Sequence, residues 1–365
     1  MSAESAVALV IGDLTLDVHT GVSITREEIA SLAHGADVSA KSAISILPGG
    51  TAWLFADALA SSSTVVPIIA ASVGDDWAGA VLSSALRERR FLEHGLVRVP
   101  GEHSDLINTV SFNGQGRFMA WPHSKVSHKV YAWEWSRLQR LFLPPEIRFA
   151  WVSGYLLDDP DPSVLKHVQT LFDNLRQRRI PVVLDLVPHN FATSIGPLEQ
   201  LEREVGPVDV LVGEFGTMAD LGFGQRPAVG EDAKPQMVRC ARSAAMGRTG
   251  AVVQHRIGNL YAQAIAGVER EYFTSLPVPA SGPRGIGDTL AVEALRALQL
   301  VDLCLSSRPV IGSGQLRGHR GRVTVAEVFE DLERLGPEHT GSSLVTVTLF
   351  NVGPSVKRTS HPPPV

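Results

Sequence analysis

The residues with the clearest chemical pattern lie late in the chain, in Ala280-Ser281-Gly282-Pro283-Arg284-Gly285-Ile286-Gly287-Asp288-Thr289-Leu290, which runs straight into a helical pattern. Two glycines one residue apart at a helix N-terminus let the backbone approach an anion while unpaired N–H groups and the helix dipole point at it. Asp288 falls in the first turn, beside that anion site. There a carboxylate can take the proton of a hydroxyl attacking a terminal phosphate. The same residues also read as an ordinary Gly-rich loop with an acidic helix-start residue. This segment alone leaves both readings open.

Residues placed for such chemistry need strands that deliver them to one edge. The apolar run 6–11 reads as a buried parallel strand ending in Gly12-Asp13, and open α/β sheets bind ligands at that end. Residues from about 19 to 48 show no sustained period. Gly49-Gly50 then precede a helix over 51–61, a strand over 64–70, and Ser72-Val73-Gly74-Asp75-Asp76 ahead of a helix over 77–90. Asp75 and Asp76 read as residues that hold the loop at that helix start. Asn113-Gly114-Gln115-Gly116, between two short strands within 108–121, signals a hairpin that interrupts the alternation. From residue 148 the alternation returns: strands at 149–153, 182–186, 208–212 and 251–254, an antiparallel pair near 260–264, and helices at 162–178, 196–204, 215–221, 235–246 and 288–300. A last helix is expected over 325–335. The series predicts an α/β fold with a mostly parallel sheet and helices on both faces.

Composition narrows the function classes. The 365 residues are 44% hydrophobic and 19% charged, which is globular composition. With 33 Lys+Arg against 38 Asp+Glu the formal net charge is −5, so the basic field of a nucleic-acid reader is absent. No apolar run reaches the roughly 18 residues of a membrane span, and the N-terminus lacks the features of a signal peptide. A cytoplasmic protein is expected, with no nucleic-acid or membrane partner. Cys240 and Cys304 are too few and too far apart for a disulfide framework or a zinc cluster. The twelve histidines show no metal-binding spacing. A dinucleotide-binding oxidoreductase is excluded because Gly12-Asp13-Leu14 lacks the GxGxxG turn after the first strand.

Taken together, Gly12-Asp13-Leu14-Thr15-Leu16-Asp17, Gly49-Gly50, Val73-Gly74-Asp75-Asp76 with Gly79, and the GxGD segment resemble the ribokinase-like (PfkB) family of carbohydrate and nucleoside kinases. The resemblance covers roughly residues 6 to 300 and takes in Val152-Ser153-Gly154-Tyr155 and Leu184-Asp185-Leu186-Val187-Pro188. It implies ATP-dependent phosphorylation of a hydroxyl on a sugar, nucleoside or related polyol, with ATP and Mg2+ as cofactors. By the same resemblance Asp288 is the catalytic base and Gly285, Ile286 and Gly287 form the anion hole. Asp17 is the sugar-hydroxyl ligand, with Gly49 and Gly50 lining the pocket. Asp13 lies nearby and reads equally as a strand-end cap or a substrate contact.

On the nucleotide side the aligned positions are Glu214 and Gln254; Arg284, just before the anion hole, reads either as a surface residue or as positive charge for the transferring phosphoryl group, and metal ligands stay unassigned. The implied architecture is a major kinase domain of 1–13, 49–105 and 133–340. A small β-lid of 14–48 and 106–132 is inserted into it, a loose tail occupies 355–365, and a homodimer pairs through the lid. Several positions depart from the family pattern. Leu54 replaces an Asn of the substrate pocket, Gly213-Glu214-Phe215-Gly216 keeps only a shifted Glu, Gln254-His255-Arg256 replaces Thr-x-Gly, and Gly282-Pro283 replaces Asp-Thr. These losses raise an alternative, a catalytically weakened binding or regulatory protein.

Overall fold

A computed structural model describes residues 6–22, 24–25, 28, 44–112, 117–120, 126, 147–157, 162–186, 198–226, 232–257, 260–267, 271–277 and 285–301. Arg284, the expected helix over 325–335, the Asn113–Gly116 turn and the C-terminal tail lie outside these residues.

The first strand, β1 (Val7–Ile11), is apolar at every position and buried on both sides. Such a run suits the middle of a parallel sheet covered on both faces. It pairs in parallel with β4 (Val66–Gly74) on one side and with β8 (Ile147–Ser153) on the other. Beyond β4 lies β5 (Leu92–Val99). Beyond β8 the sheet continues through β9 (Val182–Asp185), β10 (Val210–Glu214) and β11 (Gly250–Ile257), all parallel. It closes with two antiparallel strands, β12 (Leu260–Gly267) and β13 (Glu271–Pro277). The nine-stranded order is β13-β12-β11-β10-β9-β8-β1-β4-β5. The chain builds outward from β1 in both directions, so the strand order reverses between β1 and β8. Open α/β sheets bind ligands at the carboxyl ends of strands flanking such a reversal.

Alternate residues of each central strand feed two cores. Val7, Leu9 and Ile11 pack with α3 (Pro162–Gln177), α4 (Leu198–Val205), α5 (Phe215–Asp220) and α6 (Ala233–Ala245). Ala8 and Val10 face α1 (Thr51–Ser62), α2 (Trp77–Glu88) and α7 (Ile286–Ala297). On that second face Phe55 of α1 stacks on Trp151 of β8 with ring centroids 3.8 Å apart, and both rings are fully buried. Among the described residues no helix is long and apolar enough to cross a membrane.

A separate four-stranded sheet has the order β3-β2-β6-β7, formed by β2 (Thr15–Gly21), β3 (Ser45–Gly49), β6 (Asp105–Ser111) and β7 (Arg117–Ala120). β6 and β7 pair antiparallel, with Ser111 opposite Arg117, on either side of the expected hairpin turn. β2 follows β1 after only three residues, so this small sheet grows directly from the carboxyl end of the large one.

Four strands were not evident from periodicity. β2 mixes Thr15, Asp17, His19 and Thr20 with its apolar residues, and β3 is short and carries Pro48 and Gly49. β5 carries Gly95, which lies against the Ile69 backbone carbonyl where a side chain would not fit. β13, at the sheet edge, extends the expected pair near 260–264 to three antiparallel strands.

Candidate active site

The carboxyl end of β1 delivers Gly12 and Asp13 to the start of α1. Thr51 donates both its backbone N–H, at 3.2 Å, and its hydroxyl to one Asp13 carboxylate oxygen, and Ala52 N–H reaches the Asp13 carbonyl at 3.2 Å. Asp13 therefore satisfies the helix N-terminus from a neighbouring strand, as a capping side chain does. Burial is the main influence on its carboxyl and raises its pKa. The Thr51 hydrogen bonds oppose that rise, while the charge of Asp17 adds to it. Gly50 enters α1 at φ 86°, and a Cβ there would collide with the Asp13 backbone carbonyl.

Asp17 sits on β2 with its side chain against Gly49 on the neighbouring strand, so closely that a Cβ on Gly49 would overlap the carboxylate. Thr15 donates its hydroxyl to Asp17 at 2.6 Å, and His19 Nε2 lies 3.8 Å from the other carboxylate oxygen. Asp13, Asp17, Gly49 and Gly50 thus form one assembly at the junction of the two sheets. Its glycines are required by close approach.

The loop after β4 is held as expected. Asp76 accepts from Gly79 N–H at 2.8 Å, Ser104 N–H at 3.0 Å and the Ser104 hydroxyl at 2.7 Å. Burial pushes its pKa up, but these hydrogen bonds, with His103 nearby, outweigh it and leave the carboxyl below its ordinary value. Asp75 is exposed, 3.9 Å from Arg98.

The second assembly forms at the start of α7. Gly285 has φ 70° and ψ 2°, the left-handed conformation that glycine adopts without strain, and among the described residues no side chain caps the helix. Its Cα faces space in which the nearest described atom to a Cβ would be Leu54 Cδ2, at 3.8 Å. Ile286 is buried against Leu276 and Leu290, which fixes the turn from below. Uncapped N–H groups on a glycine turn fit a phosphate group. Asp288 lies in the same turn, half-buried.

Gln254, within β11, is buried and donates its amide to the Gly287 carbonyl at 2.9 Å. A Cβ on Gly287 would approach Gln254 Oε1 at 3.1 Å and the Tyr261 hydroxyl at 3.5 Å. Tyr261 went unnoticed in the sequence. Its hydroxyl donates to Glu214, and the charges of Glu214, Asp288 and Asp185 all add to the rise that burial imposes on its pKa. Burial likewise raises the Glu214 carboxyl, against the Tyr261 hydrogen bond. Sheet register explains the meeting. Glu214 pairs with Gln254 on β11 and Arg256 pairs with Tyr261 on β12, so the phenol reaches diagonally over β11. Among the described residues no three His, Cys, Asp or Glu side chains stand close enough to hold a metal ion between them.

Neither a protein-family model nor a curated protein matches the chain in sequence. Solved structures do match its fold. A putative ribokinase from Agrobacterium tumefaciens aligns with TM-score 0.58 at 16% identity, over 91% of this chain and 98% of its own. A Burkholderia thailandensis nucleoside kinase in complex with inosine aligns with TM-score 0.55 at 13% identity, over 80% and 84%. An uncharacterized sugar kinase from Pyrococcus horikoshii in complex with ATP aligns with TM-score 0.53 at 14% identity, over 80% and 84%. The chain has the ribokinase-like fold, that of PfkB carbohydrate kinases.

Proposed function

We propose that the protein transfers the γ-phosphoryl group of ATP to a hydroxyl of a sugar, nucleoside or related polyol. The observation that carries this is the α7 turn, where Asp288 stands beside the uncapped N–H groups that follow Gly285. Asp288 accepts the proton of the attacking hydroxyl. A bond then forms from that oxygen to phosphorus, the bond to the β-phosphate oxygen breaks, and ADP leaves. The N–H groups at Gly285, Ile286 and Gly287 offset the charge on the transferring group. Asp17 orients the acceptor, with Asp13, Gly49 and Gly50 shaping its side of the site. Glu214 and Gln254 shape the nucleotide side, and Arg284 supplies positive charge just ahead of the turn.

Magnesium would screen the nucleotide phosphates, with Glu214 and Asp288 the protein carboxylates suited to its water shell. The small sheet serves as a lid over the acceptor. Ile46 and Leu106, exposed on that sheet, and Ile44, exposed just before β3, support pairing of two copies through it. A dimer mass by light scattering is the expected sign.

The test is a screen of sugars and nucleosides with ATP and magnesium, read as ADP release. Asp288→Asn keeps the size and loses the basicity, so turnover is expected to fall at least about 100-fold with acceptor affinity preserved. Comparable turnover in the variant removes Asp288 from the mechanism.

One observation favours a second reading, a binding or regulatory protein. On the nucleotide side Tyr261 engages Glu214 and the Gln254 amide is spent on Gly287, so both are committed within the protein. Under that reading a non-hydrolysable ATP analogue leaves acceptor affinity unchanged and no acceptor yields ADP.

A further inference from the structure

The face of β2 that carries Asp17 holds a further residue, His19, to which the proposed reaction gives no part. Side chains two apart on a strand share a face, so Thr15, Asp17 and His19 stand in line. The register sets Asp17 between Leu47 of β3 and Ile107 of β6, whose side chains carry no polar atom. His19 stands two positions further along, between Ser45 and Thr109.

Burial changes along this row. Thr15 and Asp17 are buried and His19 is half-buried; beside it Thr109 is buried and Ser45 exposed. The opposite face of β2 follows the same course, with Leu16 fully buried and Val18 half-buried. β2 is thus covered on both faces at the junction of the sheets and opens toward solvent at His19. The imidazole closes the outer end of the row.

The two ends of the row meet different oxygens of Asp17. On the inner side Thr15 donates its hydroxyl to Oδ1 at 2.6 Å. On the outer side His19 Nε2 faces Oδ2 at 3.8 Å, and although 28% of the His19 side chain reaches solvent, that nitrogen is buried and makes no hydrogen bond among the described residues. A buried polar atom without a partner is unfavourable, and the gap exceeds an N–H···O hydrogen bond by only about 1 Å. Side-chain rotation within one strand closes it. The last torsion of an aspartate is broad, so a carboxylate held at one oxygen still turns, whereas one held at both keeps its plane.

The geometry points to His19 as a positioning residue that acts through Asp17. With its proton on Nε2 the ring donates to Asp17 Oδ2 when acceptor is held, and the carboxylate, fixed between Thr15 and His19, keeps its remaining lone pairs aimed at the acceptor hydroxyl. The inference deepens the kinase reading and rests on it for the role of Asp17, but its effect is read in binding and needs no turnover.

Calorimetric titration of the full chain tests it, with ribose, glucose, uridine and inosine as acceptor probes and a non-hydrolysable ATP analogue measured separately. His19→Leu keeps bulk at the outer end and loses the donor, whereas His19→Gln returns an amide N–H to about the reach of Nε2. For the probe that the parent binds most tightly, His19→Leu is expected to weaken binding about tenfold, the scale of a lost hydrogen bond to a charged group. His19→Gln should stay within about threefold of the parent, and ATP-analogue affinity within about twofold in both variants. If His19→Leu does not fold, His19→Phe supplies a ring without nitrogen. Acceptor affinity unchanged in the Leu variant overturns the inference, since bulk alone would then suffice. Gln binding no better than Leu overturns it too, as do equal losses for acceptor and ATP analogue, or failure of all four probes to bind the parent. The expected pattern without ADP formation keeps the role of His19 and removes the kinase reading. ADP formation with an acceptor KM that His19→Leu leaves unmoved does the reverse.

Discussion

The two ends of the site are held by different means. At the proposed acceptor end, Asp17 lies against the bare backbone of Gly49 and takes the Thr15 hydroxyl, and Asp13 takes the N–H and hydroxyl of Thr51 at the start of α1, so both carboxylates sit within close reach of main chain. At the proposed nucleotide end, Glu214 is fixed by the Tyr261 phenol and the α7 turn by the Gln254 amide, so side chains hold a side chain and a turn. Main-chain contacts demand glycine at set positions and leave little freedom for substitution. Side-chain contacts can be met by other residue pairs, provided the new partner reaches the same place. That difference fits a proposed acceptor end whose Asp17, Gly49 and Gly50 keep the resembled pattern, Leu54 aside, while the proposed nucleotide end departs from it at Glu214 and Gln254.

The largest expected effect comes from disturbing the main-chain contact. Gly49→Ala places a methyl where the Asp17 carboxylate now lies, and Asp17 has a short side chain with little room to swing. Gly49 itself is not in the left-handed region, so the strain falls on the contact rather than on the backbone. Acceptor affinity should drop by about tenfold or more while nucleotide affinity stays within about twofold, since losing a placed charged partner typically costs one to a few kcal/mol. Calorimetry with acceptor and with nucleotide separately reads both numbers. An unchanged acceptor affinity would remove Asp17 from the acceptor site.

A smaller effect, with the opposite selectivity, is expected from Tyr261→Phe. The change removes one hydroxyl and leaves the half-buried Glu214 carboxylate without that donor, a penalty of about 1–3 kcal/mol. If Tyr261 positions Glu214 for the nucleotide, KM for ATP should rise several-fold while acceptor affinity is preserved. A purely structural bond would instead lower the melting temperature and leave KM where it was. The split between those two readouts decides whether the side-chain-held end is part of the site or only near it.

How much of this was legible beforehand follows from how far apart in the chain each contact is made. The β1 strand, the Gly49-Gly50 entry to α1 and the Gly285 turn each carry their signal within a few residues: an apolar run, a glycine pair, a GxG before a helical pattern. The Asp76 cap was legible for the same reason, because its partner Gly79 is three residues on. Tyr261 was not. It lies 47 positions from Glu214 and meets it only through the register of β10, β11 and β12. The aliphatic flanks of Asp17 were hidden likewise, since Leu47 and Ile107 join it through ladders from 30 residues away on one side and 90 on the other. β2 itself gave little sign, because its alternation of Leu16 and Val18 with Thr15, Asp17 and His19 runs only five residues before Thr20 and Gly21 break it.

The smallest expected effect tests whether Asp13 belongs to the chemistry or to the scaffold. Its carboxyl is raised in the folded state, chiefly by burial. A group whose folded pKa lies above its unfolded value, about 3.9 for Asp, favours folding while protonated, and that advantage is lost as pH rises through the folded pKa. Asn in its place keeps a carbonyl oxygen for the Thr51 N–H and hydroxyl and carries no charge to bury. Asp13→Asn should therefore gain melting temperature over the parent as pH rises from 4 to 7, by a few degrees or less. The sign of the change matters more than its size. Glu214, also raised by burial, gives both proteins the same slope and cancels in the difference. A difference that stays flat with pH would show that the folded protein does not penalise the Asp13 charge. In that case a carboxylate held ionised beside Asp17 would be better understood as a second acceptor ligand than as the cap of α1.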